Sequence, residues 1–124
     1  VTDAKAVLVD HFGESLCVQL SSAVWKERNG GMAELLEALP RLDVRTAGLD
    51  IMLALSVVPG WKDSNFQVLS KLCEACTVLA KGVGSLSKGD ARALLLGALD
   101  ELACAKVKGP ASELLSTLAE VCLL

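Results

Sequence analysis

Tyrosine is absent from these 124 residues, and aromatic side chains of all kinds reach only 3%. β-Branched residues are thin outside the valines. A chain short of the side chains that favour a pleated surface is expected to be helical. No apolar run approaches the length of a bilayer span, and Val1 opens no basic–apolar–small leader pattern, so the expectation is a soluble, intracellular chain. The formal charge of −3 supplies no basic footprint for nucleic acid and argues against an anionic membrane as the main target. Histidine occurs once, at His11, with no acid–nucleophile arrangement near it. Gly82-Val83-Gly84 lacks the strand-to-helix setting of a phosphate loop. Asp90, Asp100, Glu101 and Glu113 read as helix-start or solvent-face charges, and no pair of them looks like acid/base chemistry. The reading is therefore non-enzymatic, with no cofactor and no metal.

What the chain does have is leucine and alanine, within a 52% hydrophobic composition. At this length it is one domain or part of one. Its cysteines, Cys17, Cys73, Cys76, Cys104 and Cys122, are odd in number and sit at helical apolar positions. They read as buried thiols of a reducing compartment. Cys73-Glu74-Ala75-Cys76 has the C-x-x-C spacing, yet it lies mid-helix with no second pair at metal-ligand distance, so a structural role outweighs a zinc or redox one.

In chain order, Val1 to Asp10 is ambiguous: Ala4, Val7 and Leu8 suit a helix that Gly13 would weaken. A first helix is expected from about Phe12 to Leu20, ended by Ser21-Ser22. The second runs from near Val24 to Leu39, with Trp25, Met32, Leu35, Leu36 and Leu39 on one stripe. Lys26, Glu27, Arg28, Glu34 and Glu37 cover its opposite face. Gly30-Gly31 inside it weakens the helix but allows a neighbour to approach closely. Pro40 stops the run.

The third helix spans about Asp43 to Val58 and ends at Pro59-Gly60. For the fourth, Ser64-Asn65-Phe66-Gln67 reads as a capping box led by the Ser64 hydroxyl. Its buried side is expected to hold Phe66, Leu69, Leu72, Cys73, Cys76, Leu79 and Ala80, with Gly82 and Gly84 marking its end. A fifth helix carries Ala91, Leu94, Leu95, Ala98, Leu99 and Leu102. Pro110 fits the first turn of a sixth, which buries Leu114, Leu115, Leu118 and Val121.

The fold class is therefore all-α, six helices in three antiparallel pairs at about 12–39, 43–81 and 90–122. The second helices begin near Val24, Ser64 and Gly109, about 40 and 45 residues apart, within the HEAT/armadillo period. In such an α-solenoid each repeat buries its apolar faces against its neighbours. The turns within pairs then emerge on one edge, and the turns between pairs on the other. The first edge carries Trp25, Lys26, Trp61, Lys62, Asn65, Lys106 and Lys108, a local cationic ridge suited to an acidic protein surface. Spacing alone leaves Trp25 divided between core residue and contact. Trp61, after Pro59-Gly60, reads as a pin for its own turn whose indole N–H seeks a backbone partner.

Ser21-Ser22-Ala23-Val24-Trp25-Lys26-Glu27-Arg28 and Pro59-Gly60-Trp61-Lys62-Asp63-Ser64-Asn65-Phe66-Gln67-Val68 resemble the turns of TOG domains. The similarity is greatest to the third TOG domain of the multi-TOG (ch-TOG-type) microtubule polymerases, over about Leu16 to Leu124. The resemblance implies a HEAT-repeat paddle whose intra-repeat turns bind the αβ-tubulin dimer at growing microtubule ends. It implies a cytoskeletal location and further TOG domains in the full-length protein. Three of such a domain's six repeats are present, its N-terminal half. Carried over, Trp25 is the first-turn anchor with Lys26 beside it, Lys62 and Asn65 form the second turn, and Lys106 and Lys108 the third. The alternative is a generic HEAT scaffold that binds another protein or spaces neighbouring domains.

Overall fold

Gly13 decides how the chain begins. In the computed structural model, which describes residues 3–84, 86–87, 89–92, 94 and 108–123 (of 121–123 the backbone only), helical structure starts at Ala4 rather than near Phe12. Asp3 caps α1 (Ala4–Phe12) by accepting from the Lys5 amide. Gly13 then takes φ 92°, a region that L side chains rarely adopt, and α2 (Glu14–Leu20) starts in a new direction. The expected weakness at this glycine is thus a clean break between two helices. Leu8 of α1 and Leu16, Cys17 and Leu20 of α2 join the core.

The helix α3 (Trp25–Ala38) buries Met32 and Leu35, and the short 3-10 turn Leu39–Arg41 that follows buries Leu39. Close packing of α2 on α3 rests on Gly31, where a Cβ would stand 3.0 Å from Gln19 Cβ and 3.1 Å from Leu20 Cδ2. Gly30 makes no such contact; its Cβ would meet only Gln19 Oε1, at 3.7 Å.

Asp43 caps α4 (Val44–Leu55), accepting from the Thr46 amide at 3.4 Å and the Thr46 hydroxyl at 2.8 Å. The helix ends earlier than its apolar pattern suggests. Ser56–Gly60 forms one widened turn in which Val58 leaves helical geometry (φ −134°, ψ 108°), and the Val58–Pro59 peptide bond is cis.

The helix α5 (Phe66–Val83) is the centre of the molecule, contacting α3, α4 and α6 (Lys108–Leu123). Its buried face holds Val68, Leu69, Leu72, Cys73, Ala75, Cys76, Leu79 and Ala80. Phe66 departs from the expectation: at the head of the helix it is 37% exposed. The α4–α5 contact is tight enough to depend on glycine. A Cβ on Gly48 would meet Val83 Cγ2 at 2.5 Å, and one on Gly82 would meet Val44 Cγ1 at 2.4 Å. Gly82 therefore lies inside the helix, which ends one residue beyond it, with Gly84 as the left-handed cap.

Residues 89–92 and 94 are helical, and Ala91 and Leu94 are buried. A reciprocal serine cap starts this segment: the Asp90 amide donates to Ser87 Oγ at 3.2 Å, and that hydroxyl donates back to Asp90 Oδ2 at 2.9 Å. Leu95, Ala98, Leu99 and Leu102 lie outside the described residues. In α6, Ala111, Leu114 and Leu118 are buried.

The architecture is an all-α, HEAT-like solenoid with no strand among the described residues. One layer contains α1, α2 and α4, and the other contains α3, α5 and α6. Short turns reverse the chain between α2 and α3 and between α4 and α5, so both turns leave the same edge.

Candidate functional site: the edge of intra-repeat turns

The second turn is organised by a buried carboxylate. Asp63 Oδ2 accepts from Arg28 Nε at 2.7 Å and Oδ1 from Arg28 Nη2 at 3.0 Å, a bidentate pair between residues 35 apart in sequence. Their side chains are 14% and 2% exposed, respectively. Arg28 Nη1 donates to the Ser22 carbonyl at 2.9 Å, and Asp63 Oδ1 also accepts from the Asn65 amide at 2.9 Å. One ion pair thus joins the first turn, the start of α3, the second turn and the head of α5. The hydrogen bond to Asp63 raises the Arg28 pKa further, against burial, which lowers it.

Sequence reading placed Arg28 on the solvent face of its helix and gave Asp63 no role. Both belong to the site's interior. No local pattern reveals a pair formed between two repeats.

The first turn is held locally. The Val24 amide donates to Ser22 Oγ at 3.1 Å, and the Ser22 hydroxyl donates to Glu27 Oε2. These contacts deliver the chain into α3 with Trp25 as its first residue, 36% exposed. The structure resolves the divided reading of Trp25 away from the core: the stripe that buries Met32 and Leu35 stops short of it. Lys26 Nζ lies 5.9 Å from the Trp25 ring centroid.

Around the second turn, Trp61 is 8% exposed, as a pin should be. Its indole N–H, however, is buried without a hydrogen-bond partner among the described residues, contrary to the expected backbone partner. Lys62 beside it is exposed. The cap of α5 is Asn65, not Ser64. Asn65 Oδ1 accepts from the Gln67 amide at 2.9 Å and the Val68 amide at 3.3 Å. The reason is Asp63: by taking the Asn65 amide it fixes Asn65 in extended geometry immediately before the helix. Gln67, expected to reach back to the cap, instead accepts from Asn29 Nδ2 at 3.5 Å, across to α3.

The first two turns face each other across an open cleft of about 830 Å³, lined by both turns and by Lys5 of α1. Of the expected site residues, Lys62 lines this cleft, while Trp25 and Lys26 head α3 and Asn65 caps α5 next to the same two turns, Asn65 half-buried and the others exposed. Lys108, exposed, opens α6, whereas Lys106 lies outside the described residues. Among the described residues no group of three His, Cys, Asp or Glu is placed to hold a metal, and no helix is long and apolar enough to cross a membrane. Burial, and secondarily the neighbouring Cys73, pushes the Cys76 thiol pKa far up, so Cys76 is held as a protonated core thiol. Cys104 lies outside the described residues, as does the Cys122 side chain.

Fold and edge together define a helical-repeat protein with one face of ordered, partly cationic turns. Protein MOR1 of Oryza sativa subsp. japonica is similar to it, 36% identical over 105 residues that span 82% of this chain and 5% of that protein. Protein MOR1 of Arabidopsis thaliana is 28% identical over 103 residues, again 82% of this chain and 5% of the relative. The chain thus spans about one twentieth of the length of these curated relatives. No family model and no solved structure matches it.

Proposed function

We propose that this chain is a TOG-type, non-catalytic tubulin-docking segment of a microtubule polymerase. It docks its intra-repeat edge on the αβ-tubulin dimer. The observation that carries the reading is Trp25: a large apolar ring, 36% exposed, stands at the head of α3 on the edge where the first two turns converge. Similarity to proteins named MOR1, a microtubule-organisation name of the TOG family, supports the partner class.

In this mechanism Trp25 is the anchor, since partly exposed tryptophans dominate binding energy where a partner desolvates them. Lys26, Lys62, Lys106 and Lys108 steer towards an acidic surface, contributing to association rate more than to affinity. Asn65 caps α5 through its side-chain oxygen, which leaves its amide N–H₂ as the group that meets the partner. Linked to further domains of the same type in a longer protein, such an edge raises the local tubulin concentration at a growing microtubule end.

Co-elution of the chain with soluble αβ-tubulin on size exclusion tests the reading, with Trp25→Ala alongside. A tubulin shift with the native chain and none with the variant is expected. If both variants shift tubulin alike, Trp25 is not the anchor; if neither does, the chain is a spacer or binds another protein.

A further inference from the structure

The cleft between the first two turns, about 830 Å³ in volume, is one-sided in charge. Of the residues that line it, only Asp63 is acidic, and both its oxygens are committed to Arg28. Lys5, from α1, and Lys62, from the second turn, are exposed, and neither has an ion-pair partner among the described residues. The cleft thus carries two uncompensated positive charges in a chain whose net charge is −3. Glu14 and Glu27 line a smaller neighbouring cavity that Lys5 also borders, and the Glu27 carboxylate accepts from the Ser22 hydroxyl.

Beside the two cations and four serines, the lining carries apolar surface from Leu20, Val57, Val58, Pro59 and Trp61. Val57 is 66% exposed although its neighbours Val58 and Trp61 are buried, so a large hydrocarbon surface faces solvent beside Lys5 and Lys62. A lining that combines exposed apolar surface with two cations selects a ligand of complementary chemistry: carboxylates together with an apolar side chain. The volume, about 830 Å³, is within the usual range for ligand sites (roughly 300–1,000 Å³), and suits a short stretch of extended chain.

From this we infer that the cleft is a second recognition element on the docking edge, one that takes an acidic peptide segment with an apolar residue at its centre. It rests on the reading of this edge as a docking face, but its ligand is a flexible chain rather than the folded surface that Trp25 meets. Lys5 and Lys62 receive the carboxylates, and Val57 receives the apolar side chain. The Arg28–Asp63 pair forms the wall and keeps Asp63 from repelling the ligand.

Fluorescence anisotropy of a labelled glutamate-rich peptide with one central phenylalanine, titrated with the intact chain, tests this. Saturable binding is expected. Affinity should fall about tenfold with Lys5→Glu or Lys62→Glu and more with both, because each reversal replaces an attraction by a repulsion. Val57→Asp should weaken it likewise. Arg45→Glu, on the exposed side of α4 outside the cleft, should bind as the native chain does. No binding by the native chain would overturn the inference, as would equal binding of a glutamine version of the peptide or full binding by the double reversal. An equally tight complex with a short single-stranded oligonucleotide would also overturn it, as the mark of unselective polyanion binding. The titration contains no tubulin, so a chain that binds tubulin but not the peptide loses this inference alone.

Discussion

Lys26 Nζ lies 5.9 Å from the centroid of the Trp25 ring, so the first turn presents a cation and an aromatic face as one unit. At an exposed site such a pair contributes about 0.5–1 kcal/mol. Its larger consequence is order: each side chain restricts the other, and less freedom remains to be lost when a partner arrives. Trp25→Ala should cost folding stability about 1 kcal/mol or less and tubulin affinity about 2 kcal/mol or more. Lys26→Ala should cost affinity less than the tryptophan change does. Equilibrium urea melts and tubulin-binding isotherms on the same samples check both.

The Arg28–Asp63 pair leads to the opposite pattern. Asp63→Asn removes one charge of a buried, bidentate pair and leaves the guanidinium facing a neutral amide. Breaking such a pair from one side costs about 3 kcal/mol or more, because the remaining charge stays desolvated. The Asn65 amide also loses its carboxylate acceptor. A lower urea midpoint is expected, together with faster amide exchange in both turns. Arg28→Lys should not rescue, since a point charge cannot reproduce the fork.

The α4–α5 contact makes a prediction that runs against helix propensity. On an open helix, Gly→Ala stabilises by about 1 kcal/mol. At Gly48 the added methyl would lie 2.5 Å from Val83 Cγ2 and 3.1 Å from Val44 Cγ1. Overpacking of this kind costs about 1–3 kcal/mol, so Gly48→Ala should lower the melting temperature. Pairing it with Val83→Ala should recover part of the loss.

Cys76 gives a pH dependence. Its folded pKa is raised above the ordinary 9.0 by burial, with Cys73 adding to the shift. The folded state therefore holds this proton more tightly than the unfolded state. The contribution is fully present below about pH 9 and is lost as pH rises beyond it, at up to about 1.4 kcal/mol per pH unit. Cys76→Ala should fall less steeply than the native chain between pH 9 and 11 in urea melts, and native Cys76 should resist alkylation by iodoacetamide at neutral pH.

Much of the helical framework was legible because amphipathic spacing is a local property. Met32, Leu35, Leu39, Leu69, Leu72 and Leu79 recur at helical intervals and are buried as that spacing requires. Pro59-Gly60 marked the close of the third helical run, although the regular helix α4 already stops at Leu55. The errors lie where a partner from another repeat intervenes. Ser64 has the right residue type for a cap, yet Asp63, reaching Arg28, fixes the backbone so that Asn65 takes the role. Phe66 fits the stripe by spacing, but the helix head projects it towards solvent.

By itself, then, the sequence determined an all-α chain and the amphipathic spacing of its helices, because periodicity and turn chemistry act within a few residues. Only the tertiary structure decided that Trp25 is exposed and that the buried indole N–H of Trp61 has no hydrogen-bond partner among the described residues. It likewise decided that Arg28 points inward and that two lysines from different elements share a cleft. Those outcomes depend on which surfaces neighbouring helices cover, and on a buried charge taking whatever partner the packing brings within reach.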